Sequence, residues 1–211
     1  MPIQNACFKR KFSIKASLFM GLVLSACLVE QAFAVLTTTP LVTTPRRVTL
    51  QVGSAQFGTV NNVVFNVTSD KVSPNNVSIE GIPDATAGTA TASPSNGILI
   101  RATSEVPTTM AGTWQNLKVD VNSSVGLTCV NSASCGATII PFTTIKWVSY
   151  NRGGLDIADG TFNGGNQTLF HVGSINAGLK LENTLVFTYS NTTLYPAGQY
   201  KGTVTYTASL P

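Results

Sequence analysis

The sequence predicts an all-β protein built as an antiparallel sandwich, and three observations lead to that fold class. Short runs rich in Val, Ile, Thr and aromatic residues alternate between apolar and polar positions, which is the period of a half-buried strand. About ten such runs recur at roughly 10–15-residue intervals between turn-forming Gly, Pro and Asn. The outward positions are mostly Thr, Ser and Asn, as expected when one face of each sheet is buried and the other is solvated.

The first element in the chain is a predicted secretory signal over residues 1–34. Basic residues between Lys9 and Lys15 precede the apolar run "ASLFMGLVLSACLV", and small residues then stand at Ala32 and Ala34. These are the three parts of a signal peptide, and they predict cleavage between Ala34 and Val35. The mature protein is therefore expected in the periplasm, at the cell surface or in an extracellular fibre.

A second way of processing the signal stays open. The segment "LSAC", ending at Cys27, is similar to a bacterial lipobox, in which the cysteine becomes the lipidated first residue of the mature chain. Cys27 is thus the candidate lipidation site if cleavage does not follow Ala34.

Charge and hydropathy exclude two classes of partner for the mature chain. Four of the 13 Lys and Arg and one of the nine Asp and Glu lie in the signal, which leaves nine against eight and a net charge of +1. A chain this close to neutral lacks the clustered cations that nucleic-acid binding requires. No later run approaches 18 apolar residues, so no transmembrane span is expected.

Residues 35–46, "VLTTTPLVTTPR", are predicted to be a Thr/Pro-rich leader, because proline removes backbone donors and favours extended linkers. Residues 47–211 follow as the β-sandwich domain, with two tandem sandwiches dividing near 105–112 as the alternative. The predicted strands contain, in order, "RVTLQV", "VVFNV", "NVSI", "GILIRA", "LKVDV", "TIIPFTTIKWVS", "TLFHV", "TLVFTYS" and the terminal run. The segments between them, "GIPDATAG" included, are predicted turns.

Cys129 and Cys135 are predicted to form a disulfide. They lie six residues apart across a polar "NSAS" segment of an exported chain. Free thiols or a metal site are the alternative, although His171 is the only histidine available as a further ligand.

No catalytic constellation is found, so the chain is predicted not to be an enzyme and to need no cofactor or metal. His171 lies in an apolar strand run without an accompanying nucleophile motif. Trp147 and Tyr150 are candidates for stacking on a sugar, but aromatic residues in an alternating strand more often fill a core. The segment "GLDIADGTFNGGN" offers oxygen ligands for Ca²⁺ without the spacing of an EF-hand loop; they are Asp156, Asp159, Asn163 and Asn166.

The most regular alternation in the sequence is at its end, in "GQYKGTVTYTASLP". One parity is apolar and is the predicted strand-pairing face, which begins at a glycine and ends at the penultimate residue. Its members are Gly198, Tyr200, Val204, Tyr206, Ala208 and Leu210.

This ending resembles subunits of chaperone–usher fimbriae and the related secreted spore-coat-U-type proteins. The resemblance implies an immunoglobulin-like sandwich that lacks one strand. It also implies a partner, another subunit or a periplasmic chaperone, that supplies the missing strand beside the C-terminal one. A complete sandwich acting as a self-contained sugar- or protein-binding module is the alternative. The segment beginning at Arg46, "RRVTLQVGSAQF", is either a donor strand or the first strand of such a complete sandwich.

Overall fold

A computed structural model describes residues 46–53, 60–72, 77–85, 93–105, 115–175 and 178–211. These residues belong to one compact unit, Thr43–Pro211. Ala34, Val35, Cys27 and the predicted leader up to residue 45 lie outside the described residues, so the expectations about signal processing stay predictions.

The described residues form an all-β structure with antiparallel pairing throughout, which confirms the predicted fold class. The strands are β1 (Arg47–Val52), β2 (Val60–Val67), β3 (Ile79–Glu80), β4 (Ile82–Ala85), β5 (Ile98–Glu105), β6 (Gln115–Asn122), β7 (Leu127–Cys129), β8 (Ile139–Ile140), β9 (Ile145–Tyr150), β10 (Gly160–Thr161), β11 (Asn166–Ile175), β12 (Lys180–Tyr189), β13 (Gly198–Gly202) and β14 (Thr205–Ser209).

The strands form three sheets around one apolar core. The first sheet has the order β1-β5-β12-β9-β10, with β3 also paired to β12. The second has the order β11-β6-β14, and the third the order β4-β2-β13-β7-β8. All three sheets contribute side chains to the core. Because β5 pairs with β12 and β2 pairs with β13, strands from both sides of residues 105–112 share the same sheets.

Alternating sequence becomes alternating burial in the strands that border the core. In β5, Ile98, Ile100 and Ala102 are buried, and the residues between them are partly exposed. In β6 the apolar residues of "LKVDV" are likewise buried. This burial of one face removes apolar surface from water and is the main stabilisation of such sheets.

The outer face of the first sheet carries a row of charged residues across neighbouring strands. Arg101 Nε donates a hydrogen bond to Glu182 Oε2 at 2.6 Å, and Lys180 Nζ lies 2.8 Å from the same oxygen. The hydrogen bond from Arg101, followed by that from Lys180, lowers the pKa of Glu182 to about 2.

Two predicted turns contain regular structure. The segment "GIPDATAG" was predicted to be a turn, but Ile82–Ala85 forms strand β4 on the edge of the third sheet, where Pro83 is tolerated. The polar segment after Cys129 contains a one-turn helix, α1 (Ser132–Cys135), with the Asn131 side chain accepting a hydrogen bond from the Ala133 N–H at 3.1 Å.

Among the helices that the structure describes, none is long and apolar enough to cross a membrane.

Candidate strand-pairing site

The C-terminal run bends between two sheets instead of forming one straight strand. Its first half, β13, lies in the third sheet, and its second half, β14, lies in the second sheet, with Thr203 and Val204 between them. Lys201 pairs with Thr128, and Thr205 pairs with Asn122. The segment from β6 to β7 that lies opposite this break therefore has two residues more than the terminal run. Extra residues on one side bend paired strands, and the uninterrupted alternation of the terminal run gave no sign of this bend.

The two parities of the terminal run face different environments. Tyr200 and Gly202 are buried in the core region. The later apolar residues are partly buried and pack against the core: Val204, Tyr206, Ala208 and Leu210. Thr203, Thr205 and Thr207 are exposed.

The two halves of the run differ in how their edges are paired. β13 lies between β2 and β7 and is hydrogen-bonded on both sides. Among the described residues β14 is hydrogen-bonded only to β6, and β1 lies close to it without pairing.

Strand β2 turns away at the point where β13 ends. Val63 lies opposite Gly202, and beyond this pair β2 remains paired with β4 on one edge but pairs with no residue of β14 on the other. Where the two strands separate, Thr203 Oγ1 of the terminal run donates a hydrogen bond of 2.6 Å to Asn62 Oδ1 of β2. Beyond it, β2 and β14 diverge.

A cavity of about 360 Å³ lies at this divergence. Its floor is formed by buried residues from the first and third sheets and from connecting segments: Phe65, Ile98, Phe142, Ile145, Phe162 and Phe187. Its more exposed lining comes from the end of β1, the start of β2 and the terminal run: Val52, Asn62, Val63, Thr203, Val204, Thr205 and Tyr206. Among the described residues that line it, none is charged.

Three phenylalanine rings give the cavity floor a fixed shape. The rings of Phe142 and Phe162 meet edge to face with centroids 5.3 Å apart. Those of Phe162 and Phe187 are stacked at 5.7 Å. Such arrangements add to the stabilisation from burial alone. No pattern in the sequence marks these residues as a site, since Phe162 lies in a Gly- and Asn-rich segment with no strand-like alternation.

Gly202 gives the wall of the cavity its close packing. A Cβ atom at this position would overlap the Leu127 side chain and would lie 2.7 Å from Phe142 Cζ. Only glycine therefore fits at this position, and its lack of a side chain lets the backbone of the terminal run pack directly against the aromatic floor.

Tyr206 lies on the same wall and faces the cavity. Burial raises the pKa of its hydroxyl above the ordinary tyrosine value, because the phenolate form would lose hydration there. The tyrosine is therefore neutral over the whole physiological pH range.

The predicted disulfide is present, and it packs against the start of the terminal run. Cys129 and Cys135 are bridged with their Cα atoms 5.8 Å apart. Cys129 pairs with Tyr200 in the sheet, and a Cβ atom on Gly198 would lie only 2.5 Å from Cys135 Sγ. The sequence showed the glycine and the cysteines separately, but only the fold brings them together.

The oxygen-rich segment 154–166 uses its carboxylates within the protein. Asp156 Oδ1 accepts hydrogen bonds from the Gly153 N–H at 2.7 Å and from Asn183 Nδ2 at 3.1 Å. Asp159 accepts the Ser149 N–H at 2.8 Å and pairs with Arg152. Among the described residues, no group of three or more His, Cys, Asp or Glu side chains is arranged to hold a metal ion.

The remaining sequence candidates are separated from one another. Asn163 and Asn166 lie in and after the 163–165 turn, where the Asn163 side chain holds the Gly165 N–H at 2.8 Å. His171 is exposed on the outer face of β11, opposite Lys118. Trp147 is buried, with its Nε1 donating to the Ala158 carbonyl at 2.8 Å, so it offers no stacking face to a sugar.

In comparisons with models of protein families, with curated proteins and with solved structures, nothing matches this chain. The fold and the site together define an antiparallel β-sandwich in which one edge of β14 has no hydrogen-bonded strand among the described residues and borders an apolar cavity.

Proposed function

We propose that this chain is an exported structural or adhesive protein, a subunit of a surface fibre that assembles by β-strand complementation. In this proposal the fold is an immunoglobulin-like sandwich lacking one strand, and β14 receives that strand from another subunit or from a periplasmic chaperone. The observation that carries the proposal is the second edge of β14, to which no strand is hydrogen-bonded among the described residues and which borders an apolar cavity.

Both components of strand addition are present at this edge. A strand that pairs on one side presents backbone N–H and C=O groups to a partner, which supplies affinity. The cavity beside it accepts apolar side chains that project from alternate positions of an added strand. Because the lining carries no charge, the best-matched partner strand is apolar on the face that enters the cavity.

The pairing of β1 supports one choice of donated segment within this proposal. Arg47–Val52 is strand β1 and pairs with β5 over six consecutive residues, so it is committed to its own sheet. The proposal therefore assigns the donor role to the residues before Arg47, in the Thr/Pro-rich leader at 35–46. Val35, Leu36, Leu41 and Val42 supply the apolar side chains of that segment.

The test is complementation by a peptide. The full chain is refolded by dilution from denaturant with and without a synthetic peptide of residues 35–46, and the soluble, cooperatively melting fraction is measured. The matched control is the same peptide with alternate backbone nitrogens methylated, which keeps every side chain but removes the N–H donors for strand pairing.

We expect the unmodified peptide to increase the soluble fraction and the methylated peptide to have no effect. A chain that refolds alone to a soluble, cooperatively melting monomer and binds neither peptide would contradict strand complementation. That result would favour the alternative, a self-contained periplasmic or cell-surface binding module.

A further inference from the structure

The cavity beside β14 has the size and lining of a small-molecule site as well as of a strand-binding groove. Its volume of about 360 Å³ lies within the usual range of ligand pockets. Ligand sites of this size are lined mostly by apolar and aromatic side chains with a few polar groups, as this one is. We infer that this cavity binds a neutral aliphatic alcohol of about ten carbon atoms, and that this ligand competes with an added strand.

The length of the ligand follows from the volume. A water molecule in the liquid has a share of about 30 Å³, and a methylene group is of comparable size. A cavity of about 360 Å³ therefore holds roughly ten to twelve methylene groups. A shorter chain leaves part of the phenylalanine floor uncovered, and a longer chain must extend past the lining into water.

The charge of the ligand follows from the residues that surround the cavity. The floor is aromatic and aliphatic, and the exposed part of the lining contributes neutral polar groups at Asn62, Thr203 and Thr205. A hydroxyl head group is therefore matched at this side, where neutral donors and acceptors lie. A carboxylate head group would have no cation among the lining residues to pair with.

Competition with a strand follows from the shared wall. Val204, Thr205 and Tyr206 line the cavity and also form the approach to the edge of β14. An alkyl chain packed between this wall and Phe162 occupies the volume that a partner's side chain would need. The inference uses the same cavity as the proposed function, but binding of the alcohol does not depend on any partner strand.

The test measures binding of 1-hexanol, 1-octanol, 1-decanol and 1-dodecanol to the refolded full chain by intrinsic fluorescence. Trp147 is a suitable reporter, because its ring centroid lies 4.9 Å from that of Phe162 in the cavity floor. Burial of each additional methylene should increase affinity about fourfold up to the C10 chain, and the gain per methylene should fall between the C10 and C12 chains. Decanoate is the charged counterpart of 1-decanol and should bind at least about tenfold more weakly.

Val204→Phe fills the cavity from its exposed side and should abolish saturable binding of 1-decanol. Thr207→Val, on the exposed parity of the same strand, should leave that binding unchanged. Val52→Phe reaches the cavity from β1 and replaces the first variant if that one does not fold. Equal affinity for all chain lengths, or unchanged binding in both cavity-filling variants, would overturn the inference.

Displacement separates this inference from the proposed function. If the residue 35–46 peptide binds and 1-decanol displaces it, both stand. If the peptide binds and no alcohol does, the inference is overturned and the proposed function stands. If 1-decanol binds in the cavity and the peptide does not bind, the inference about the ligand holds, its competition with a strand is overturned, and the proposed function fails.

Discussion

A charge placed on the buried parity of the terminal run should cost far more stability than the same charge one residue later. Val204 lies on the cavity wall and packs against the core, whereas Thr205 is exposed. The pair Val204→Lys and Thr205→Lys therefore introduces one identical side chain at adjacent positions, one packed against the core and the other exposed at the rim of the cavity.

The expected difference can be worked out from the burial of the two residues. Full burial of a valine contributes about 1.5–3 kcal/mol, and the partial burial of Val204 corresponds to about 1 kcal/mol. Directing an ammonium group out of an uncharged apolar cavity should cost about 1 kcal/mol more. The total of about 2 kcal/mol corresponds to a melting temperature lower by about 4–8 °C, while Thr205→Lys should stay within about 0.5 kcal/mol.

The assay is reversible urea unfolding of both variants, followed by the fluorescence of the buried Trp147. Each variant is compared with the unsubstituted chain under the same conditions. Equal losses from the two substitutions, or a larger loss from Thr205→Lys, would refute the assigned orientation of the terminal run.

Three further predictions concern single contacts. Among the described residues, the Ser149 hydroxyl is the buried side-chain polar atom without a hydrogen-bond partner, so Ser149→Ala should be neutral or stabilising in thermal unfolding. Ser190→Ala is the control, because it removes a 2.7 Å hydrogen bond to the Thr144 carbonyl and should cost about 1 kcal/mol. Arg101 and Lys180 lower the pKa of Glu182 to about 2, so the stability that Glu182 contributes is present above pH 4.5 and is lost as the pH falls towards 2. Glu182→Gln should flatten this part of the pH–stability curve, and an unchanged curve would contradict the assignment. Gly198→Ala should lower the free energy of unfolding of the oxidised chain by about 1–3 kcal/mol, because its Cβ would lie 2.5 Å from Cys135 Sγ. No change in urea unfolding would show that the disulfide can move to accommodate the added methyl group.

Local pattern was sufficient for the fold class and for the disulfide, and the reason is physical. In segments such as "GILIRA" and "LKVDV" the two-residue period is also the period of burial, so parity in the sequence corresponds to a face in the sheet. Cys129 and Cys135 are close in sequence, and a short loop brings them together whatever the rest of the chain does.

Features that depend on long-range pairing were not accessible in the same way. The bend at Thr203 arises from two extra residues in the segment between β6 and β7, and the terminal run itself alternates without interruption. The cavity floor joins Phe142, Phe162 and Phe187, which are far apart in sequence and come from three different local contexts. Ile82 was assigned to a turn because glycine and proline surround it, yet pairing with β2 makes it part of an edge strand.

Hydrogen exchange at the backbone of Thr205–Ser209 tests strand addition at β14 most directly. In the chain without peptide, the amides on the β6 side should be protected, and the alternate amides on the other side should exchange quickly. Saturation with the residue 35–46 peptide should slow those alternate amides, and the N-methylated peptide should not. If all amides of this segment are already equally protected before any peptide is added, or if none changes when a peptide is bound, then β14 is not the edge that accepts a partner.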